Sequence, residues 1–421
     1  MLIFAFMKLR LLFTLILLCP VLAFGQVSDE IDAYLREFPQ RAAFNAHCYE
    51  FLPIKDTPAP GGFKPFYISH YGRHGTRSDS DGTRYPKLRD SLRVAKAAGI
   101  LTTDGDSLLR VTDRIIALHN EMPGRLTPRG AIEHSRLAER MYHRFPGVFR
   151  KGEVHALSSV VPRCLVSMSA FTSSLMACNN KLVFTWDCGE KYQYFISRSY
   201  PKDMKEEASR LTAESTKFPY DTAAVYAKLF TDPQLGRKII SPNRLVNYIF
   251  KVASFAQAHE IDENYFSFLP WDAVVTLYCR RALNAYLWNC NSVPFGDRRM
   301  PRAKPLAEEI IRKADEAIAG APVAADLIFG HDWPFLGICS YFGLEGYGYP
   351  RYTAEEAVRN WNGTLLCPFA ANLQIVFYRN RKGDVLVKFL TNEKETLIPE
   401  LKSFSGPYYR WEDVKAYISR R

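Results

Sequence analysis

Arg73-His74-Gly75-Thr76-Arg77 places an imidazole between two guanidiniums, with a glycine directly after the histidine. A neutral imidazole can attack phosphorus, two guanidiniums can hold the phosphoryl oxygens bidentately, and Gly75 lets the backbone come close to the group being transferred. The bland reading is an exposed basic turn, and the rarity of such a string weighs against it. A second cluster is Gly330-His331-Asp332, where Asp332 is the type of group that protonates a leaving alkoxide and His331 the type that helps hold phosphate. On its own a His-Asp pair reads as a capping turn. The third is Arg163, within Ser158-Ser159-Val160-Val161-Pro162-Arg163-Cys164, whose guanidinium would add positive charge on the equatorial oxygens of a phosphoryl group. Alone it reads as a surface arginine. If Asp332 is an acid, it must hold a proton when substrate binds, so the expectation is highest activity at acidic pH.

Each cluster directly follows a candidate strand. Phe66-Tyr67-Ile68 reads as a buried strand before the first, Val154 to Leu157 as one before Arg163, and Ala325 to Phe329 as one before Gly330. Leu126-Thr127-Pro128-Arg129-Gly130 opens a helix, with Thr127 as N-cap, Pro128 at the first helical position, and Leu137, Met141 and Phe145 on one face. Pro146-Gly147 ends it. Helical patterns dominate from about residue 200 to 320: Asp221 to Leu229, Arg244 to His259, Ala273 to Trp288 and Pro305 to Ala319. Leu373 to Tyr378 and Asp384 to Leu390 read as strands joined through Asn380-Arg381-Lys382-Gly383.

These patterns predict an α/β fold: a central, mostly parallel sheet flanked by helices, with a smaller α-helical cap inserted. The predicted division is a sheet domain from residues 26–165 and 321–421 around a cap over 166–320. In open α/β sheets ligands bind beyond the carboxyl ends of the strands, so the three clusters should converge.

The bulk properties set limits on partner and compartment. The chain has 421 residues, is 47% apolar and carries a net charge of +11. Lys8 and Arg10, the apolar run Leu11 to Phe24 and the small residues before Gln26 read as a secretory signal over residues 1–25. Its product is expected outside the cytoplasm, periplasmic or extracellular. Leu18 before Cys19 is larger than a lipoprotein signal places there, so no lipid anchor is expected. Eight cysteines remain after the signal, an even number compatible with disulfides, and Cys178/Cys188 and Cys279/Cys290 are near neighbours in sequence. The basic residues are scattered, so an anionic small molecule is a better fit than nucleic acid. His47, His119, His134, His143, His155 and His259 read as core or helix-surface residues, and the aromatics Trp271, Tyr278, Tyr286 and Trp288 as cap core.

In order and content, Arg73 to Arg77, Leu126 to Gly130, Ser159 to Ser167 around Arg163, and Gly330-His331-Asp332 resemble the histidine acid phosphatase branch of the histidine phosphatase superfamily. That branch includes acid phosphatases, phytases and multiple inositol polyphosphate phosphatases. The resemblance implies a phosphomonoesterase with His74 as nucleophile, Arg73, Arg77, Arg163 and His331 on the phosphate, Asp332 as proton donor, and no metal or cofactor. Two departures stand out. Asp79 replaces a proline often found two places after the second arginine, and the donor motif is His-Asp where multiple inositol polyphosphate phosphatases resemble His-Ala-Glu. The alternatives are a phosphotransferase or mutase that passes the same phosphate to another alcohol, and an exported binding protein without turnover. A nucleophile paired with an acid disfavours the binding protein.

Overall fold

The computed structural model describes residues 26–197, 202–261 and 263–421. The leader expected over residues 1–25 lies outside them. Eight strands form one sheet: β1 (Lys64–Arg73), β2 (Gly152–Ser158), β3 (Leu182–Cys188), β4 (Val323–Gly330), β5 (Asn372–Arg379), β6 (Val385–Thr391), β7 (Lys394–Thr396) and β8 (Tyr408–Arg410). The order is β3-β2-β4-β1-β5-β6-β7, with β8 beside β6. From β3 to β1 the pairing is parallel, and from β1 onward it is antiparallel. The expected mostly parallel sheet flanked by helices therefore forms the centre, and an antiparallel extension completes it.

Burial on both faces shapes the central strands. In β1, Tyr67 and Tyr71 enter one apolar cluster and Ile68 the other, so alternate side chains feed cores on opposite sides of the sheet. This carries β1 well beyond the apolar run Phe66 to Ile68: His70 is a buried strand residue, its ring packed on Phe171 and Phe329. The helix Pro128–Arg144 begins as its sequence predicts, with the Thr127 hydroxyl accepting from the Gly130 amide and Pro128 in the first turn. Leu137 and Met141 bury its inner face. The turn between β5 and β6 has Gly383 at φ 88°, a left-handed conformation suited to glycine.

A third apolar cluster lies apart from the sheet. It combines Leu88, Leu92, Leu108 and Ile115 from the helices Arg84–Ala97 and Thr103–His119 with Val225, Leu245, Ile249 and Val274 from Thr222–Leu229, Pro242–Ala256 and Trp271–Asn289. Tyr278 and Tyr286 are fully buried, but they join the sheet-side cluster with Tyr67 and Tyr71 and not this separate one, which departs from the cap-core role expected for them. The eight described cysteines are free thiols. No described helix is long and apolar enough to cross a membrane.

Candidate active site

The carboxyl ends of three parallel strands lie side by side. Arg73 of β1 is in register with Gly330 of β4, and Ser158 of β2 with Phe329 of β4, which brings the clusters at Arg73, Arg163 and His331 to one edge of the sheet. The antiparallel direction of β5 brings its beginning to the same edge, so the preceding loop Cys367 to Ala371 crosses the site. That loop supplies the floor. The Phe369 ring lies 4.7 Å from the Arg73 guanidinium, 5.7 Å from that of Arg77, and 5.9 Å from the His74 ring.

His74 is held from three sides. Its amide donates to Gly330 O at 2.9 Å, its carbonyl accepts from the Ala370 amide at 3.1 Å, and its Nδ1 lies 2.9 Å from Gly75 O. A carbonyl can only accept, so Nδ1 carries the proton and Nε2 keeps its lone pair. Burial, then the charges of Arg73, Arg77 and Arg163, hold the His74 pKa well below the usual imidazole range. The ring is a neutral base with a free Nε2.

The loop behind it is locked to the helices Pro128–Arg144 and Pro162–Cys178. Gly75 N donates to Ser167 Oγ at 3.1 Å, and the Thr76 amide and hydroxyl both donate to the buried Glu133 carboxylate, at 2.8 and 2.6 Å. The Tyr49 amide is a third donor to Glu133. His134, on the same helix, contacts Arg73 O through Nε2 at 3.1 Å.

Three guanidiniums gather around His74. Arg73 is fully buried, its Nη1 donating to Cys367 O and Pro368 O at 3.1 and 2.8 Å, and its Nη2 3.5 Å from Asp332 Oδ2. Arg163 sits in the first turn of the helix Pro162–Cys178 and directs Nη2 to His331 Nδ1 at 3.4 Å. Arg77 spends one donor on Ser78 O. Each of the three keeps a buried Nε–H without a partner. Unsatisfied buried donors are costly, and clustered here they suit an anion. Burial lowers the Arg77 pKa to about 10, with Arg163 and Arg73 adding to the effect.

His331 and Asp332 face this cluster from β4. The His331 amide donates to Tyr71 Oη at 3.1 Å, its ring stacks on Trp333 with centroids 4.3 Å apart, and its Nε2 lies 3.2 Å from Ser159 Oγ. Burial and then Arg163 lower its pKa to about 3, so the ring is neutral. Asp332 opens the helix Asp332–Tyr341, accepting from the Trp333 amide on Oδ1 at 3.1 Å and from Asn45 Nδ2 on Oδ2 at 2.7 Å. Burial pushes its pKa up, but Arg73, the Asn45 amide and His331 outweigh this and hold it below the ordinary carboxylate range. These contacts favour the ionised carboxylate in the free protein.

The fold and most of the length of the chain have relatives among known proteins. No family model matches the chain. It is 25% identical over 412 residues to multiple inositol polyphosphate phosphatase 1 of Gallus gallus, covering 85% of this chain and 82% of that one. The multiple inositol polyphosphate phosphatase of Bifidobacterium longum, solved with phosphate, superposes with a TM-score of 0.75 at 15% identity, over 90% of this chain and 97% of that one. The phytase from D. castellii gives 0.66 at 13% identity, over 90% and 85%. Along most of its length the chain is similar in sequence to a multiple inositol polyphosphate phosphatase, and it shares the fold of the histidine acid phosphatases.

Within this shared fold the chain brings all six candidate residues together: His74, Arg73, Arg77, Arg163, His331 and Asp332. Sequence reasoning missed Asn45, Glu133 and Phe369. Glu133 carried a usable signal, because it follows Gly130 by three residues on the helix that packs behind the nucleophile loop. Asn45 and Phe369 carried none; they reach the site only through tertiary packing. The departure at Asp79 also has a structural account. Asp79 is buried and paired with Lys251 Nζ at 2.8 Å, while its carbonyl accepts from the Gly124 amide and contacts His119 Nε2. These contacts hold the loop at the position where the sequence resemblance leads one to expect a proline.

Proposed function

We propose that this chain hydrolyses phosphate monoesters through a phosphohistidine on His74, with inositol polyphosphates as the substrate class. The observation that carries the reading is a neutral imidazole with a free Nε2, ringed by three guanidiniums with unpartnered buried donors. His74 Nε2 attacks phosphorus as the ester P–O bond breaks, and Asp332 delivers a proton to the departing oxygen. Water then attacks the phosphohistidine, Asp332 accepts its proton, and inorganic phosphate leaves. Arg73, Arg77, Arg163 and His331 bind the equatorial oxygens, where transition-state charge is greatest. Inositol polyphosphates are favoured by the net positive charge and by the kinship with enzymes named for that activity. Export to the periplasm or the exterior, directed by residues 1–25, belongs to the same proposal.

The test is release of inorganic phosphate from inositol hexakisphosphate and from a chromogenic monoester, with and without a chelator. Release from both, unaffected by chelator, is expected. Binding without release would make the chain a capture protein, and release lost on chelation would overturn the histidine mechanism.

A further inference from the structure

Asn45 lies 287 positions before Asp332 in the chain, yet its Nδ2 donates to Asp332 Oδ2 at 2.7 Å. It belongs to the 3₁₀ segment Pro39–Ala46 and follows Phe44, whose φ of 57° and ψ of −120° are rare for a residue with a side chain. Such a conformation costs on the order of 1–3 kcal/mol and persists only where its surroundings impose it. Here they do. The Phe44 ring packs on Trp361 with centroids 6.0 Å apart and lies against Gly363, where a Cβ would collide with it. The Thr364 hydroxyl donates to Arg41 O at 2.7 Å, and the His47 amide to Phe44 O at 3.0 Å, so the backbone on either side is tied down.

The two carboxyl oxygens of Asp332 differ in their partners. Oδ2 faces two side-chain donors, Asn45 and the Arg73 guanidinium, whereas Oδ1 has one peptide N–H, from Trp333. An oxygen that accepts from an amide and also faces a guanidinium charge 3.5 Å away is the poorer site for a proton. We infer that Asn45 is a positioning residue: by occupying Oδ2 it fixes the carboxyl plane and leaves the transferable proton to Oδ1. This rests on the proposed role of Asp332 as acid and base. On this inference Asn45 acts through Asp332, the side chain to which its amide donates. Because it donates to the ionised carboxylate, it also holds the proton affinity of Asp332 down.

The experiment compares Asn45→Ala and Asn45→Asp with wild type and with Asp332→Asn, using nitrophenyl phosphate and an alkyl phosphate. Single-turnover phosphorylation and the pH profile of kcat are read for each. A nitrophenolate leaves with little protonation, so Asn45→Ala should stay within about threefold on that ester and lose on the order of tenfold on the alkyl ester. Losing a donor to the carboxylate should move the alkaline limb of kcat to higher pH. Asn45→Asp, nearly isosteric but bringing a second carboxylate, should move it further. Should the alanine variant fail to fold, the aspartate variant carries the test. Equal losses on both esters with an unmoved pH profile would show a purely structural role and overturn the inference. Asp332→Asn separates the two levels: if it too fails to discriminate between the esters, the acid assignment falls; if it discriminates and the Asn45 variants do not, only the role of Asn45 falls.

Discussion

Gly75 and Gly130 pack backbone against backbone, joining the nucleophile loop to the first turn of the helix Pro128–Arg144. A Cβ on Gly75 would strike the Gly130 carbonyl, and one on Gly130 would strike the backbone of Thr76. The contact continues through Thr127, whose amide donates to Thr76 O at 2.9 Å. Gly130→Ala should therefore displace the loop that carries His74. The expected cost is about 1–3 kcal/mol of stability, as for other overpacked sites, with a fall in kcat larger than unfolding at assay temperature explains. Urea unfolding and kcat on the same preparation check it; normal kcat in a destabilised protein would show that the loop tolerates the shift.

His74→Ala removes the free Nε2, and no other described side chain stands in the same place among the guanidiniums. Turnover should vanish, and acid-labile phosphate trapped on the wild-type protein during turnover should map to His74. Label on another residue, or retained turnover, would reassign the nucleophile.

Arg163 is held by its helix and by His331, with a buried Nε–H awaiting a partner. Arg163→Ala should lower turnover on the order of 10²-fold, the scale seen when a positioned donor is lost. Lys at this position should recover little, since a single ammonium cannot replace the planar fork. The readout is kcat/KM for the three proteins, and unchanged values would make Arg163 mere local charge.

In the free protein Arg73, Asn45 and His331 outweigh burial and hold the Asp332 pKa below the ordinary carboxylate range. A bound phosphate sets its own negative charge against those arginines, so Asp332 should take up a proton more readily in the complex than in the free protein. The alkaline limb of kcat, which reports the complex, should accordingly lie above the Asp332 pKa measured by NMR titration of the free enzyme. Burial and the three guanidiniums hold the His74 pKa well below the usual imidazole range, so the alkaline limb is not assigned to it. Coincidence of the two values would mean that substrate does not perturb Asp332.

Lys251 neutralises the buried Asp79 at 2.8 Å. Lys251→Met should leave that carboxylate without its ion-pair partner, with only the more distant charges of Arg281 and Arg77 near it, and destabilise the fold by about 3 kcal/mol, whereas the double change with Asp79→Asn should recover much of the loss. Thermal unfolding of the four proteins forms the cycle; additive effects would show that the pair is not coupled.

Local chemistry made much of this protein legible. Arg73, His74 and Arg77 follow a strand, Thr127-Pro128 opens a helix, and His331-Asp332 follows a second strand, because strand ends, caps and turns depend on a few adjacent residues. The edge strand β3 escaped notice: its exposed Val183 and Trp186 break the burial pattern that marks a central strand. The helices Arg84–Ala97 and Thr103–His119 bury their apolar faces against partners more than 100 residues away, such as Val225 and Leu245, and nothing local announces that association. Strand direction was equally silent, since one alternating pattern serves parallel and antiparallel pairing alike. It was the antiparallel course of β5 that carried Phe369 under the guanidiniums, and the packing of Phe44 on Trp361 that brought Asn45 to Asp332. Residue type and spacing determined which groups could do chemistry; the proton state of Asp332 was decided by charges and donors that only the tertiary fold brings within reach.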